Sequence, residues 1–579
     1  MALVLRLWAL GELPASLTDD EARLGYHAWS LARTLTRPPS SAAAEEGAMT
    51  DGVLRHPSPV SLWGIGQGVG VYATALSVGL FGPTPFAVRL PYAVAGSLSV
   101  IPATIVGYRI HGSRVAAVAA GLLLATSPWH LAFSRVARDG TWLVLGLLTM
   151  VAGMVADGVG HNRPRRRRPI VWVIAGATIA TLGDPNGAVA ACMTAVAVGL
   201  ALVPQCSRRE AGAGPLPEHV GVVPEGLGLG GVSGQSGGAR AVGPVAVVLL
   251  TVAVAVGLSG AGVDEFRVGP DRQTLASAES SSARRKAADP SGTTGMLQAP
   301  WAVLARAGLD AYFSHLDLTY LFTRGGADRR DHATGFGQLS LVDLPLVTGG
   351  ALLALNAAWS RRAGSTTITT PRGGASRRVS KGGWGIVLAW LAVAPLPAAL
   401  AASRHDAARS IGMVSPLVLL EAGAVAAVWP RLVRRRVTFE AGLALAVSTV
   451  SWVLATAVHD PVDAGRAFGS GAFAGYEWAR KEIEGGRAMQ VVVVGDPSQA
   501  TGVAQLALRL DPAGAGLQQV LTARPEIDWA RERHADPAYP MRLFALHGAT
   551  RVPEGFTEAH AARTGDGRPA VTFVRAMPG

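Results

Sequence analysis

The acidic triplet Asp19-Asp20-Glu21 is the clearest sign of chemistry in the sequence, and it follows a short apolar segment, Met1–Leu10. A carboxylate within hydrogen-bond reach of a hydroxyl can remove its proton and so act as a general base. The triplet also has a purely structural interpretation, as the negatively charged start of a helix Ala22–Leu35, where the helix dipole favours acids. A second candidate carboxylate, Asp139, lies in a polar segment further along the chain.

Four arginines in two later polar segments could bind a phosphate group. Arg135 and Arg138 lie in one segment, and Arg404 and Arg409 lie in the other. A guanidinium donates several hydrogen bonds in a fixed fork, which suits phosphate oxygens and the charge that develops on a leaving phosphate. The alternative is that these arginines anchor helix ends at lipid headgroups. Three scattered histidines are further polar candidates, although their spacing predicts no metal site: His56, His332 and His405.

The segments that must position these side chains are strongly apolar. The 579 residues are 49% hydrophobic and 16% charged, with a mean hydropathy of +0.30. Soluble chains carry about 25% charged residues, so the composition excludes a soluble enzyme, a disordered tail and a nucleic-acid binder, in spite of a net charge of +12. The two cysteines, Cys192 and Cys206, form neither a disulfide framework nor a metal-binding spacing. The sequence therefore predicts an α-helical polytopic membrane protein.

Eleven apolar segments are predicted to cross the membrane, because a span needs about 20 mostly apolar residues. The segment Ile170–Val203 is too long for one helix and is broken at Asp184-Pro185, so it counts as two spans. Met1–Leu10 has about half the length of a span, and we expect an apolar extension before it. The other eight are Ala87–Tyr108, Val115–Phe133, Trp142–Val159, Val242–Gly260, Leu339–Ala358, Trp384–Ala401, Ile411–Trp429 and Phe439–Val458.

The charges of the loops predict which side of the membrane each one occupies. If the uncharged segment Pro59–Ala87 lies along the outer surface as a juxtamembrane helix, five loops on one side hold 20 Lys and Arg and three acids. The positive-inside rule makes that side cytoplasmic. A spanning Pro59–Ala87 would instead export the clusters Arg165–Arg168 and Arg434–Arg436, which costs more than laying one helix in the interface. The candidate catalytic segments then lie outside, including a first external loop, residues 12–86.

The last part of the chain differs in character from the rest. Residues 460–579 contain frequent charges and ordinary turn signals, whereas residues 1–459 form the predicted membrane domain. The patterns indicate an amphipathic helix at Tyr476–Ile483, a buried strand at Met489–Val494 and a second helix at Ser498–Leu510. We predict a small external α/β domain.

Short motifs occur in a fixed order along the polar segments. They are Leu13-Pro14 with Asp20-Glu21-Ala22, His56-Pro57, Leu80-Phe81-Gly82-Pro83 with Val88-Arg89-Leu90-Pro91, Ser127-Pro128-Trp129-His130 with Ser134-Arg135, Tyr320-Leu321-Phe322 with His332, and Leu396-Pro397 with His405 and Arg409. Together, over most of the chain, they resemble glycosyltransferase family 39. That family contains the protein O-mannosyltransferases and the lipid A aminoarabinose transferases, and it has the GT-C fold.

The resemblance implies an enzyme of the cytoplasmic (plasma) membrane, a hexosyl- or pentosyltransferase. It would move a sugar from a polyprenyl-phosphate carrier to an acceptor (a protein, a lipid or a cell-envelope glycan) on the outer side. It implies that Asp20 is the catalytic base, that Glu21 orients the site or the acceptor, and that the four arginines bind the donor phosphate. Asp139 would be the second carboxylate. The expected partners are membrane lipids, the lipid-linked sugar and the acceptor, with no cofactor, metal or nucleic acid.

A multi-pass transporter or flippase of a lipid-linked or small polar substrate is the alternative. Transporters carry ionisable groups near the bilayer midplane and are often built from internal repeats. Here the charged groups cluster at the external surface, with Asp184 as the exception, and the sequence shows no repeat. The pattern favours the enzyme.

The predicted topology can be tested by labelling a cysteine at position 165. We expect the Arg165→Cys variant, with Cys192 and Cys206 replaced by alanine, to resist a membrane-impermeant thiol reagent in intact cells, because the arginine cluster around it should be cytoplasmic. A cysteine at position 46, in the first external loop, is the control and should react. Strong labelling at position 165 would contradict the eleven-span arrangement.

Overall fold

The structure is a computed structural model, and it describes most of the chain. The described residues are 1–36 except 15, 68–158, 168–212, 244–254, 270, 272–288, 299–362, 381–494 except 436, 464, 466 and 470, 497–510, 520–532 except 525, 530 and 531, and 542–576 except 549 and 550.

Helices make up the part of the chain before the C-terminal sheet. In the first half they are α1 (Ala2–Leu7), α2 (Asp19–Thr36), α3 (Gly68–Phe81), α4 (Pro85–Leu98), α5 (Val100–His111), α6 (Arg114–Thr126), α7 (Pro128–Arg135), α8 (Gly140–Gly158), α9 (Arg168–Gly183), α10 (Gly187–Gly212) and α11 (Pro244–Val254). The second half contains α12 (Arg272–Ala288), α13 (Pro300–Ser314), α14 (Asp343–Arg362), α15 (Lys381–Val393), α16 (Leu396–Leu400), α17 (Ala407–Ser410), α18 (Val414–Arg435), α19 (Thr438–Leu454) and α20 (Asp460–Asp463).

Every predicted span coincides with at least one of these helices. Among the described residues, four helical segments could each cross a membrane by length and composition: Pro85–His111, Gly383–Leu400, Ala407–Arg435 and Thr438–Asp463. The pair α6 and α7, bent by 52°, gives a fifth candidate, and five further apolar helices are shorter. The expected break at Asp184-Pro185 is confirmed, because α9 ends at Gly183 and α10 begins at Gly187. The number of crossings, eleven, stays a prediction.

The beginning of α2 differs from the sequence prediction. A helix was expected from Ala22, with the acidic triplet before it, whereas α2 begins at Asp19 and contains all three acids in its first turn. The reason is a local cap formed by Thr18 and Glu21, which lets the helix start three residues earlier.

Helices α8 and α9 approach each other so closely that two of their contact positions have room only for glycine. A Cβ atom at Gly176 of α9 would overlap the backbone nitrogen of Met150 in α8, and a Cβ atom at Gly146 would lie 2.5 Å from the nitrogen of Ala180. Small residues permit such close approach between apolar helices. Because the two helices run antiparallel, this packing brings the segment before α8 close to the turn after α9.

The C-terminal part forms a five-stranded mixed sheet with the order β2-β1-β3-β5-β4. Its elements are α21 (Ala472–Glu484), β1 (Gln490–Val494), α22 (Pro497–Ala507), β2 (Leu521–Arg524), β3 (Arg542–His547), β4 (Phe556–Arg563) and β5 (Pro569–Ala576). Strands β2 and β3 pair with β1 in parallel, and β5 pairs with β3 and β4 in antiparallel fashion. The predicted helix, strand and second helix are confirmed, while the domain boundary at residue 460 stays a prediction.

Helix α2 lies between the helical bundle and this C-terminal part. Ala22 and Tyr26 of α2 belong to the same buried apolar cluster as Val88 of α4 and Leu506 of α22. At Gly25, a Cβ atom would lie 2.7 Å from Val88 Cγ2 and 2.9 Å from Leu506 Cδ2. The C-terminal part is therefore packed directly against the helix that carries Asp20.

Candidate functional site

One end of the bundle, called the polar end below, collects polar side chains from five separate segments. They are the start of α2, residues 136–139 between α7 and α8, the turn 184–186, the segment 325–342 before α14, and residues 401–406 before α17. Each segment lies at the beginning of a helix or between helices, so the packing of the bundle determines the distances between these segments.

Glu21 joins three parts of the polar end. Its side chain is 1% exposed, and its Oε1 lies 2.8 Å from Nε of Arg89, which is fully buried in α4. The backbone N–H of Thr18 donates to Glu21 Oε2 at 2.9 Å, and the N–H of Glu21 donates to Thr18 Oγ1 at 3.2 Å, which is a capping box. The N–H of Ala137 donates to Oε1 at 3.1 Å. One carboxylate therefore holds α2, α4 and the segment before α8 together.

Glu21 is a carboxylate at neutral pH despite its burial. Burial alone would raise the pKa of Glu21, but the Arg89 guanidinium and the hydrogen bonds it accepts hold that pKa below its ordinary value. Both carboxylate oxygens are occupied by protein donors, so the geometry suits a residue that orients the site. A direct catalytic role for Glu21 stays a prediction. The Thr-x-x-Glu spacing was a readable sequence signal, whereas the partner Arg89 lies 68 residues away.

Asp20 takes no part in the capping box, and its side chain is exposed at the polar end. Its side chain is 67% exposed, its Oδ1 lies 3.2 Å from Nη2 of Arg23, and its Oδ2 lies 3.6 Å from Nη1 of Arg330. The cap is made by Thr18 and Glu21 rather than by Asp20. An exposed carboxylate on a fixed helix is in a position to meet a substrate from solution.

Asp139 lies directly before α8 and close to a second buried acid. The Tyr92 hydroxyl donates to Asp139 Oδ1 at 3.3 Å. Burial, and then the nearby Asp184 carboxylate, raise the pKa of Asp139 well above its ordinary value, and burial raises the pKa of Asp184 to about 6. The Asp139 carboxyl group therefore favours its protonated form more strongly than an exposed aspartate does. Asp20 contributes a weaker electrostatic effect in the same direction on the pKa of Asp139.

The structure places Asp184 in the turn between two helices, as the predicted break at Asp184-Pro185 requires. The residue follows α9 at the polar end, where its Oδ1 accepts a hydrogen bond from the N–H of Asn186 at 2.7 Å. The feature that agreed best with a transporter is thereby removed.

A network of ion pairs ties the segment 325–342 to the candidate carboxyl groups. Nη2 of Arg138 lies 2.8 Å from Oδ1 of Asp331 and 3.0 Å from Oδ2 of Asp328. Nη2 of Arg330 lies 2.7 Å from Asp328 Oδ2, while its Nη1 faces Asp20. Sequence reasoning did not single out these partners, although the run of charges from Asp328 to Asp331 was a visible signal.

The two acids of this network differ in protonation. Burial raises the pKa of Asp331 to about 7. Burial acts in the same direction on Asp328, but the Arg330 hydrogen bonds outweigh it and lower the pKa of Asp328 to about 2. For Arg138, burial alone would lower the pKa, yet Asp331 and Asp328 together raise it. Arg138 is therefore permanently charged and already has two partners.

Two of the predicted phosphate ligands occupy other environments. Arg135 is 2% exposed, and its guanidinium donates to the carbonyls of Leu5 at 2.8 Å, Trp8 at 2.9 Å and Leu13 at 3.2 Å. These bonds satisfy the last carbonyls of α1 and the chain after it, which is a structural function. Arg404 lies on the surface, where it pairs with the exposed Asp310 at 3.2 Å. Phosphate binding by either residue stays a prediction that the geometry does not favour.

Arg409 has a different setting, because it lines a small, mostly apolar cavity. The cavity lies between α8, α10 and α15, and Arg409 is its charged residue. Nη1 of Arg409 lies 3.4 Å from Asp406 Oδ2, and the guanidinium also interacts with Asp184. The other lining residues are Leu143, Leu147, Ala190, Thr194, Trp390, Val393, Ala394, Pro397 and Gly412.

The candidate histidines are not brought together. His332 is buried, with its ring nitrogens each 3.2 Å from a backbone carbonyl oxygen, and His405 stacks on Tyr320 with ring centroids 5.2 Å apart. His56 lies outside the described residues. Within the described ranges, no group of three or more His, Cys, Asp or Glu side chains could hold a metal ion. The expectation that no metal takes part stays a prediction.

The fold resembles that of solved membrane proteins. The chain superimposes on ArnT from Cupriavidus metallidurans in the apo state with a TM-score of 0.53 and 13% identity, covering all of this chain and 98% of that one. The crystal structure of ArnT bound to undecaprenyl phosphate gives a TM-score of 0.51 and 14% identity, with the same coverage. The Archaeoglobus fulgidus oligosaccharyltransferase matches with a TM-score of 0.41. No protein-family model and no curated protein matches the chain by sequence.

The chain has a GT-C fold. The helical bundle with a small mixed sheet at its C-terminal end is an α-helical polytopic membrane architecture of the ArnT type. The fold that the sequence resemblance implied is confirmed. At 13–14% identity this likeness concerns the fold, and the chemistry has to be argued from the side chains.

We expect the Glu21→Gln variant to be strongly destabilised. The change leaves Arg89 buried without its counter-charge, and breaking a buried pair in this way lowers the free energy of unfolding by about 3–5 kcal/mol. Thermal unfolding of the purified protein measures the effect. Glu484→Gln is the matched control, because it breaks a surface pair with Arg480 in which Glu484 is 59% exposed, and such pairs contribute about 0–1 kcal/mol. Equal shifts of the two melting temperatures would contradict the anchoring role of Glu21.

Proposed function

We propose that the protein is an integral membrane glycosyltransferase. It moves a sugar from a polyprenyl-phosphate carrier to an acceptor on the outer side of the cytoplasmic membrane. The observation that carries the proposal is the ion-pair network that links Asp20 to Arg138, the neighbour of Asp139, at the polar end. Arg409 lies at the same end and lines an apolar cavity. The GT-C fold, shared with a protein crystallised with undecaprenyl phosphate, agrees with it.

The cavity is small, but its lining combines the two kinds of group that a polyprenyl phosphate would contact. Its walls are aliphatic and aromatic side chains of α8 and α15, such as Leu147, Trp390 and Val393, which suit an isoprenoid chain. Arg409 supplies a guanidinium at the polar end, where the phosphate of such a lipid would lie. The long contact between Arg409 and Asp406, 3.4 Å, leaves the guanidinium able to exchange this partner for a phosphate.

Asp20 and Asp139 have different roles in the transfer step. The acceptor hydroxyl oxygen attacks the anomeric carbon, the bond from that carbon to the phosphate oxygen breaks, and Asp20 receives the hydroxyl proton. The phosphate leaves on its lipid and takes the electron pair of the broken bond. Asp139, whose pKa is raised by burial, donates a hydrogen bond from its protonated form to an oxygen of the sugar or of the leaving phosphate.

The Asp20→Asn variant should lose transfer while remaining folded. Asparagine keeps the size of the side chain and removes its basicity, and loss of a general base typically lowers the rate by about 10² to 10⁴-fold. The measurement is mass spectrometry of envelope glycans in a deletion strain that carries each variant at equal protein level. Asp310→Asn, an exposed acid paired with Arg404, is the control and should restore the glycan. If Asp20→Asn also restores it, Asp20 is not the base.

Arg409 should contribute to binding of the carrier, whereas Arg404 should not. A hydrogen bond to a charged group contributes about 1.5–3 kcal/mol, so Arg409→Gln should weaken binding of undecaprenyl phosphate to the purified protein about tenfold or more. Arg404→Gln, on the surface, should bind as the unchanged protein does. The opposite order of the two affinities would show that the carrier occupies a different place.

A further inference from the structure

The C-terminal part of the chain is packed against the face of α2 that lies next to the acidic turn. Leu506 of α22 contacts Gly25, one helical turn after Glu21, and Val503 and Ala504 belong to the same buried cluster as Ala22. The position of the helix therefore depends on α22 as well as on the bundle.

A polar chain leads from α22 to Asp20. Nη2 of Arg23 lies 2.8 Å from Asp19 Oδ2 and 3.2 Å from Asp20 Oδ1, so one guanidinium links the two neighbouring acids. Gly502 of α22 lies against this arginine. A Cβ atom at Gly502 would come within 2.5 Å of Arg23 Cγ and 3.2 Å of Asp19 Oδ1. Because Gly502 has no side chain, the aliphatic part of Arg23 can lie against α22. The position of that aliphatic part limits where the Arg23 guanidinium can lie.

Asp20 needs such support because its own surroundings are open. Its carboxylate is 67% exposed, and Arg23 and Arg330 are the charged partners found for it among the described residues. A catalytic carboxylate must be held close to its productive geometry, and a misplacement of about 1 Å can lower the rate about 10²-fold. Arg330 comes from a loop and lies 3.6 Å away, whereas Arg23 is on the same helix and makes the shorter contact.

We propose that the C-terminal domain is a positioning element of the transfer site, which holds the Asp20 carboxylate in place through Gly502 and Arg23. Arg23 is a positioning residue in this arrangement, because it acts through Asp20. The inference rests on the proposed function and assigns a task to a domain that would otherwise be a separate module on the outer surface.

The test compares four variants in the complemented deletion strain and as purified protein. Arg23→Ala and Gly502→Val should each lower the amount of modified glycan by about tenfold or more, because Asp20 is no longer held. Arg23→Ala should bind undecaprenyl phosphate and melt as the unchanged protein does, because it removes only exposed ion pairs. Arg23→Lys keeps the positive charge and should recover part of the activity. Arg33→Ala is the control on the same helix, since Arg33 lies over the Trp29 ring, well beyond the acidic turn.

Each outcome supports or overturns the inference. Normal glycan levels in Arg23→Ala would overturn it, and so would a loss of activity that is accompanied by weaker carrier binding or by a lower melting temperature. If Asp20→Asn is inactive while Arg23→Ala is normal, the proposed function stands and only the positioning role fails. If Asp20→Asn is itself fully active, the assignment of the base fails, and the positioning role fails with it.

Discussion

The buried ion pair between Glu21 and Arg89 is the constraint on which the polar end depends. Arg89 donates to the carbonyls of Leu10, Pro14 and Ser16 as well as to Glu21, so a fully buried guanidinium is surrounded by acceptors. Such a pair is stable only when its remaining hydrogen-bonding groups are satisfied, because two charges have been removed from water. The segment between α1 and α2 therefore has to fold around Arg89, and Asp20 receives its position from that requirement.

Burial also explains why the carboxyl groups at the polar end differ in pKa. Asp139 and Asp331 are withdrawn from water, which raises the pKa of each carboxyl group, whereas Asp328 is held ionised by Arg330. Carboxyl groups whose pKa values are pushed apart in this way can take different roles in proton transfer. The same pairs leave Arg138 fully engaged, so Arg409 is the arginine whose setting suits a lipid phosphate.

Helix α2 connects these features to the C-terminal domain. At Gly25 the helix packs between Val88 and Leu506, and a larger residue there would displace one of these side chains. The bundle and the domain thus share one helix, and that helix carries the candidate base. A displacement of either body would move Asp20 relative to Asp139, whose own position depends on the close packing of α8 against α9.

The sequence by itself determined the class of architecture. Hydropathy placed the apolar helices, the Asp184-Pro185 break and the elements of the C-terminal domain correctly, because these properties depend on residues that are neighbours along the chain. The order of short motifs indicated the GT-C fold and pointed to Asp20 and Asp139. The tertiary structure alone decided what each charged side chain contacts. Glu21 and Arg89 are 68 residues apart, and Arg138 and Asp331 are 193 apart. Arg135 and Arg138 look equivalent in the sequence, yet one binds backbone carbonyls and the other two carboxylates, because burial and partners are set by the packing of distant helices.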